Sequence, residues 1–274
     1  MNQEQYSEKA DIYDRSRPRY PKAFFDYLFS DVEISEKSII ADIGAGTGIL
    51  SKGLLERGST VYCIEFNQDM RTKLETSLKN YDNLVSIDAT AEATTLEDSS
   101  VDFITVGQAF HWFDREKFKT ECQRILSLGG KVVIAYNLRV MSGVMTKECY
   151  DLTEQLCPNL KQNFGHMEYD TNFDKAFFYG FFDEKTLSEK LFLNNVDYDK
   201  ETFIMKHLSV SYAPNKRDEN YGKYVSGLEQ IFQKYSDTSG VLVMPHHTMV
   251  LVGEVEPKLE CKITPRLKLN SCEI

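Results

Sequence analysis

Ile39-Ile40-Ala41-Asp42-Ile43-Gly44-Ala45-Gly46-Thr47-Gly48 decides the fold. A short β-branched and apolar run stops at three glycines set two apart. An apparent helix follows from Ile49 to Glu56 and closes at Arg57-Gly58. A strand, a tight glycine turn and a helix start open a nucleotide-binding βαβ unit. The glycines have separate duties: one lets the chain reverse, one lets backbone approach a ligand with no Cβ in the way, and one lets the helix pack close to the sheet.

The flanking residues narrow the ligand. A hydride-cofactor fingerprint puts its third glycine three residues after the second, where this chain has Ile49. Asp42 ends the strand two residues before Gly44 and is expected to face the bound group. A carboxylate there repels a pyrophosphate, which needs bare amides and the positive end of a helix. It attracts a cation, and S-adenosylmethionine, with its sulfonium and ammonium groups, is such a ligand. Asp before Gly also commonly caps a turn, and the residues alone leave that open. The next strand, Ser59 to Ile64, ends at Glu65. An acid about 20 positions past the glycine turn can hold both hydroxyls of an adenosine ribose.

With these residues in hand the sequence resembles a known family. Asp42 to Gly48, followed by Glu65-Phe66-Asn67-Gln68-Asp69-Met70, looks like the first two motifs of class I S-adenosylmethionine-dependent methyltransferases. Thr90-Ala91-Glu92, Gln108-Ala109-Phe110-His111-Trp112-Phe113 and Leu128-Gly129-Gly130-Lys131 are further matches. The resemblance runs from about Tyr6 to Val255 and is nearest the small-molecule branch, of the ubiquinone/menaquinone-biosynthesis or trans-aconitate type. It implies an α/β, Rossmann-like class I methyltransferase sheet. That sheet is mostly parallel with a C-terminal antiparallel strand, and a cap is inserted after strand five.

The same resemblance assigns expected roles. Tyr13 and Arg17 belong to a lid over the cofactor, with Arg17 pairing a carboxylate of the methionine end or of the substrate. Asp42, Gly44, Ala45, Gly46 and Glu65 hold the donor, and Phe66 and Met70 flank its adenine. Thr90, Ala91, Glu92 and Gln108 complete that side, although Thr90 stands where the family commonly has an acid and Asp88 lies two positions earlier. Tyr6, His111, Trp112 and Asn137 are expected on the acceptor side, His111 also as a general base, since histidine titrates near neutral pH. A structural hydrogen bond for His111 and a packing role for Trp112 are the alternatives.

Bulk properties bound the function. The chain has 274 residues, 42% hydrophobic, enough for one large α/β domain or one domain with a cap. Its net charge of -10, from 42 acidic and 32 basic residues, argues against a nucleic-acid backbone as main partner. Six scattered cysteines form no C-x-x-C pair, so no metal is expected. The polar start Met1-Asn2-Gln3-Glu4-Gln5 lacks a signal-peptide pattern, and no apolar run reaches membrane length. The expectation is a reduced, cytoplasmic protein whose partner is a small-molecule methyl acceptor, with no membrane partner.

Along the chain, residues 1–30 are expected as the lid segment and 31–139 as the cofactor-binding core. Residues 140–200 are expected as the cap, 201–255 as the C-terminal part of the core, and 256–274 as a tail. Helices are predicted over Gln68 to Asn80 with Asn67 as N-cap, Glu116 to Leu126, Met145 to Leu156, Glu184 to Phe192 and Asn220 to Tyr235. Strands are predicted over Leu84 to Asp88, Val101 to Val106 and Lys131 to Ala135. Gly240 to Met244 and Thr248 to Gly253 are read as a closing hairpin turned by Pro245-His246-His247. Phe173, Phe177, Phe178, Phe181 and Phe182 are read as the cap's own core or the wall of an apolar acceptor pocket. The leading functional reading is a small-molecule methyltransferase. Its rivals are a catalytically silent protein of the same fold and, further off, an NAD-type oxidoreductase.

Overall fold

The computed structural model describes residues 17–140, 142–158, 160, 178–210 and 212–257. Tyr6 and Tyr13, both expected at the site, lie outside these residues, as do Phe173 and Phe177. The elements run α1 (Lys22–Ser30), β1 (Ile39–Ile43), α2 (Ile49–Leu55), β2 (Thr60–Ile64), α3 (Gln68–Ser77), β3 (Leu84–Ile87) and β4 (Val101–Gly107). A 3₁₀ turn (Phe110–Trp112) leads to α4 (Arg115–Ile125), β5 (Leu126–Arg139), α5 (Val144–Leu156), β6 (Ser188–Leu193) and β7 (Val196–Tyr198). The last elements are α6 (Lys200–Leu208), α7 (Tyr221–Tyr235), β8 (Leu242–Met244) and β9 (His246–Gly253).

Seven strands form one sheet in the order β3-β2-β1-β4-β5-β9-β6. β1 to β5 pair in parallel, and β9 runs antiparallel between β5 and β6. This is a Rossmann-like methyltransferase sheet, as the sequence led one to expect. Both faces are covered, so its central strands are apolar on both sides. Ala41, Ile43, Ile104 and Ile134 point into a cluster with Phe110, Phe118 and Cys122. Ile40, Val61, Val133 and Ala135 point into the opposite cluster with Phe24, Leu28, Leu54 and Leu74. Each such side chain contributes about 1.5–3 kcal/mol by leaving water. Helix ends follow local chemistry: Asn67 caps α3 by accepting from Asp69 N and Met70 N, both at 3.1 Å.

Three expectations are corrected. Glu184 to Phe192 was expected as a helix, but Ser188–Leu193 is the edge strand β6, paired with β9 through Leu191↔Met249. Helix-favouring Glu189 and Lys190 yield there to the open edge of the sheet. The closing hairpin does not form. β8 pairs with β7 in a separate two-stranded sheet, while His246 and His247 are already part of β9 and lie opposite Arg139 and Leu138. Strand five is far longer than Lys131 to Ala135, because a register shift around Gly129, which has φ +77°, lets it run from Leu126 to Arg139.

A third apolar cluster joins α5, α6, α7, β7 and β8 through Cys149, Tyr198, Phe203, Tyr224, Leu228, Phe232 and Met244. Phe178, Phe181 and Phe182 are not part of it. They pack on the main sheet's face instead, with Phe178 stacked on Phe110 at 5.2 Å and Phe181 on Phe118 at 5.6 Å. Among the described residues no helix is long and apolar enough to cross a membrane.

Candidate active site

The strand tips carry two buried acids. Asp42 sits beside Cys63 of β2 and Thr105 of β4 in the sheet register. Its carboxylate accepts from the Thr105 hydroxyl at 2.8 Å and from the Ser51 hydroxyl. Burial pushes it up to about pH 6, against the pull of those two hydroxyls. Asp42 is only 1% exposed, and these two hydroxyls hold its carboxylate. Glu65 stands at the tip of β2. One of its oxygens accepts from Gly46 N and the other from Asn67 N, both at 2.8 Å. Burial raises this group too, while those amides and the Arg71 charge pull the other way. Arg71 braces the tip by donating to the Glu65 and Phe66 carbonyls and pairing with Asp88 at 2.9 Å.

The glycine turn is committed inside the protein. Gly44 N and Ala45 N both donate to Ile64 O, and Gly46 N donates to Glu65. The glycines divide their duties by what a Cβ would meet. At Gly44 it would strike Ala109 at 2.7 Å, and at Gly48 it would strike Leu78, just past the end of α3, at 2.6 Å and Leu74 of α3 at 3.2 Å. The close packing is therefore helix against helix, not helix against sheet. At Gly46, φ +58°, nothing lies within 4 Å, so this backbone faces open space.

The other side chains expected at the site are in different states. Phe66 is half-buried, while Met70 and Ala91 are buried and Thr90 is exposed. Asp88 is held by Arg71. Glu92 accepts from Asp114 N at 2.9 Å and so fastens the start of α4. Gln108 holds a left-handed backbone, φ +60°, at the carboxyl end of β4. Its N–H donates to Ala135 O at 3.0 Å, and its side-chain amide reaches Asn137 O at 3.3 Å. Such strain in a non-glycine residue clusters at ligand sites.

On the far side, the His111 Nδ1 lies 3.3 Å from the Tyr136 hydroxyl, and the ring packs on Trp112 at 4.7 Å. Burial, then the Arg17 charge, lowers His111 to about 4, so the ring is neutral at physiological pH. Asn137 is a tether. It donates to Pro18 O at 3.0 Å and accepts from Thr248 at 2.5 Å and Asn194 at 3.1 Å. Asn194 also donates to Arg19 O at 2.8 Å. Together they fasten the segment before α1 across the sheet end, where Tyr20 is buried beside Gly107.

Sequence reasoning missed Ser51, Thr105 and Arg71, whose hydroxyls and guanidinium hold the acids. It also missed the burial of four basic residues, Arg139, Lys206, His207 and His246. Arg139 lies beyond the end predicted for strand five. Lys206 and His207 read as an ordinary charged last turn of α6.

Comparisons agree with this architecture. Residues 41–134 match the model of a methyltransferase domain. An uncharacterized methyltransferase of Schizosaccharomyces pombe is 32% identical over 150 residues, covering 54% of this chain and 59% of the relative. An uncharacterized methyltransferase of Mycobacterium tuberculosis is 35% identical over 127 residues, 46% of this chain and 49% of the relative. The chain thus spans between about half and three-fifths of the length of these curated relatives. Among solved structures, one from Anaeromyxobacter dehalogenans, proposed to be a type II methyltransferase, superposes with TM-score 0.61 at 20% identity. The match covers 88% of this chain and 99% of that one. Another, from Anabaena variabilis and proposed as an antibiotic-pathway methyltransferase, gives 0.56 at 20% identity over 86% and 98%. At that identity the likeness is one of fold.

Proposed function

We propose that this chain is an S-adenosylmethionine-dependent methyltransferase that acts on a small molecule by in-line methyl transfer. One observation carries the reading: a carboxylate, Glu65, already occupies the glycine-turn amide of Gly46, above a second buried acid, Asp42. A pyrophosphate would meet both negative charges and find the Gly44 and Ala45 amides spent on Ile64. A cationic donor meets the opposite field. The open space at Gly46 fits a group lying against bare backbone.

When bound, the donor supplies a methyl group already activated by its sulfonium charge. The protein's residues bind, orient and exclude water. Each Glu65 oxygen accepts one backbone N–H and keeps capacity for one ribose hydroxyl. Phe66, Met70 and the Ala91 backbone form the adenine wall, with Thr90 at its rim. Arg17 closes the methionine end. His111 and Trp112 face the acceptor. A ring at about 4 is a feeble base near neutral pH, so His111 positions the acceptor by a hydrogen bond, Tyr136 fixing its orientation. Alignment of the two reactants supplies on the order of 7–11 kcal/mol of the barrier.

Two measurements test this. Calorimetry with S-adenosylmethionine and with NAD should show binding of the first only; the reverse would overturn the reading. Transfer of labelled methyl to a panel of small metabolites should show turnover. A protein that binds the donor yet labels nothing across the panel would be the silent relative instead.

A further inference from the structure

Tyr136 and His111 meet near the carboxyl end of the sheet. Tyr136 lies on β5 next to Ala135, the register partner of Gly107, and opposite Met249 of β9. A strand paired on both sides is a rigid mount, and Tyr136 is 0% exposed. His111 sits in the 3₁₀ turn that follows β4. Its ring is half-buried, 6.0 Å from the Tyr136 ring and 4.7 Å from that of Trp112. Its Nδ1 lies 3.3 Å from the Tyr136 hydroxyl, a long hydrogen bond of the kind that tightens when a ligand arrives.

Chemistry places the hydrogens on this pair. Burial raises the phenol above its ordinary range, so it keeps its hydrogen at physiological pH, while the His111 backbone amide acts on the same oxygen from its accepting side. A phenol is the stronger donor of the two and an imidazole nitrogen the stronger acceptor, so the hydroxyl gives its hydrogen to Nδ1. Burial, then the Arg17 charge, holds the ring at about 4 and therefore neutral. A neutral imidazole carries one hydrogen, and with Nδ1 accepting, that hydrogen is on Nε2. Among the described residues Nε2 makes no hydrogen bond, and it is not one of the buried polar atoms lacking one, so it reaches solvent on the ring edge away from Tyr136. His111 thus turns outward an N–H and not a lone pair.

We infer that Tyr136 is a positioning residue that locks His111 as an Nε2–H donor, and that the methyl acceptor presents to it an oxygen with no hydrogen of its own, a carboxylate being the simplest case. The inference deepens the methyltransferase reading and rests on it for the word acceptor. It fixes the proton balance of the transfer. One carboxylate oxygen is held by Nε2–H, and the other forms the new bond to the methyl carbon. The carbon–sulfur bond breaks, and its electron pair stays on sulfur. The carboxylate and sulfonium charges cancel in a neutral ester and a neutral thioether, and no proton leaves. An alcohol would have to shed its proton, and an imidazole with its hydrogen outward has no lone pair there to receive it.

The test is nuclear magnetic resonance on the full chain carrying nitrogen-15-labelled histidine, with S-adenosylhomocysteine added. His111→Gln assigns the ring by removing its signals. In the parent, His111 should show a protonated Nε2 and a bare Nδ1. Tyr136→Phe should populate both tautomers at His111 and leave the other histidines unchanged, which a general loss of packing would not do. Benzoate, titrated into the parent, should move the His111 Nε2 signal and bind about tenfold more tightly than benzyl alcohol. A hydrogen on Nδ1 in the parent would overturn the inference with no variant needed. An unchanged tautomer in Tyr136→Phe, a His111 signal that ignores benzoate, or benzyl alcohol binding as well as benzoate would also overturn it. S-adenosylhomocysteine separates the two readings. The Nε2–H form in a protein that does not bind it would keep the Tyr136–His111 lock and sink the methyltransferase reading. Its binding beside a bare Nε2 would sink this inference alone.

Discussion

Two groups of buried ionisable side chains differ in kind. At the tips of β1 and β2 the charges are Asp42 and Glu65, each satisfied by donors from its own neighbourhood. At the far ends of β5 and α6 the buried groups are basic, Arg139, Lys206, His207 and His246, burial disfavours the charged form of the two imidazoles, and among the described residues His207 Nε2 and the Tyr198 hydroxyl have no hydrogen-bond partner. The acids have their donors already in place on the strand tips, whereas burial and neighbouring basic groups hold Lys206 and the two imidazoles below their ordinary values.

The sharpest way to break this contrast is Glu65→Gln. Losing the charged acceptor for two hydroxyls should weaken S-adenosylmethionine by about 3 kcal/mol, roughly a hundredfold, by calorimetry. An unchanged affinity would remove the donor site from the β2 tip. On the opposite side, Lys206→Met replaces a buried cation by an apolar side chain of similar length. Thermal unfolding at pH 7.5 should show a gain of about 1–3 kcal/mol. A loss of that size would mean that the cation is already well compensated.

Acidity sharpens the contrast further. His246 is held at about 3 and His111 at about 4, both below the ordinary 6.5. The unfolded chain thus binds protons first as pH falls. Stability from these rings is whole above 6.5 and is lost on the way down to 4 and then 3, at about 1.4 kcal/mol per unit of displacement. Asp42 has the opposite sign. Raised from 3.8 to about 6, it contributes fully below 3.8 and loses that contribution as pH climbs through 6. The imidazoles outnumber it, so the melting temperature should fall from pH 7 to 4.5; a flat profile would refute the sum.

Asp42→Asn isolates the acid. Its stability relative to the parent should improve from pH 4 to pH 7. It should also bind S-adenosylmethionine about tenfold less well relative to S-adenosylhomocysteine, because only the first carries the sulfonium. The smallest effect is expected of Asn137→Ala, which removes a tether shared by three segments. About 1–2 kcal/mol of stability should go, read by denaturant unfolding.

The strand-tip side was also the legible side. Its strands alternate with helices at regular spacing, and glycines, Asp42 and Glu65 mark the turns, so local pattern and tertiary structure agree. The reading of Asp42 as facing the ligand missed Ser51 and Thr105, because hydroxyls nine and sixty-three positions away leave no local signature. Beyond β5 the pattern misleads. Ser188 to Leu193 carries helix-favouring charges but fills a strand slot offered by β9. Gly240 to Met244 reads as the hairpin partner of Thr248 to Gly253, yet β8 pairs with β7, and which strand wins depends on segments far apart in sequence. Buried Lys206 gave no sign of itself, since a charge on a helix is ordinarily solvated.

Asn137 leaves a last consequence. One amide gathers the residues before α1, the link after β6 and the start of β9, so none of the three can loosen without releasing the others. Amide hydrogen exchange at these three places should therefore proceed at a common rate, like a latch with one pin, and withdrawing that pin should quicken all three together.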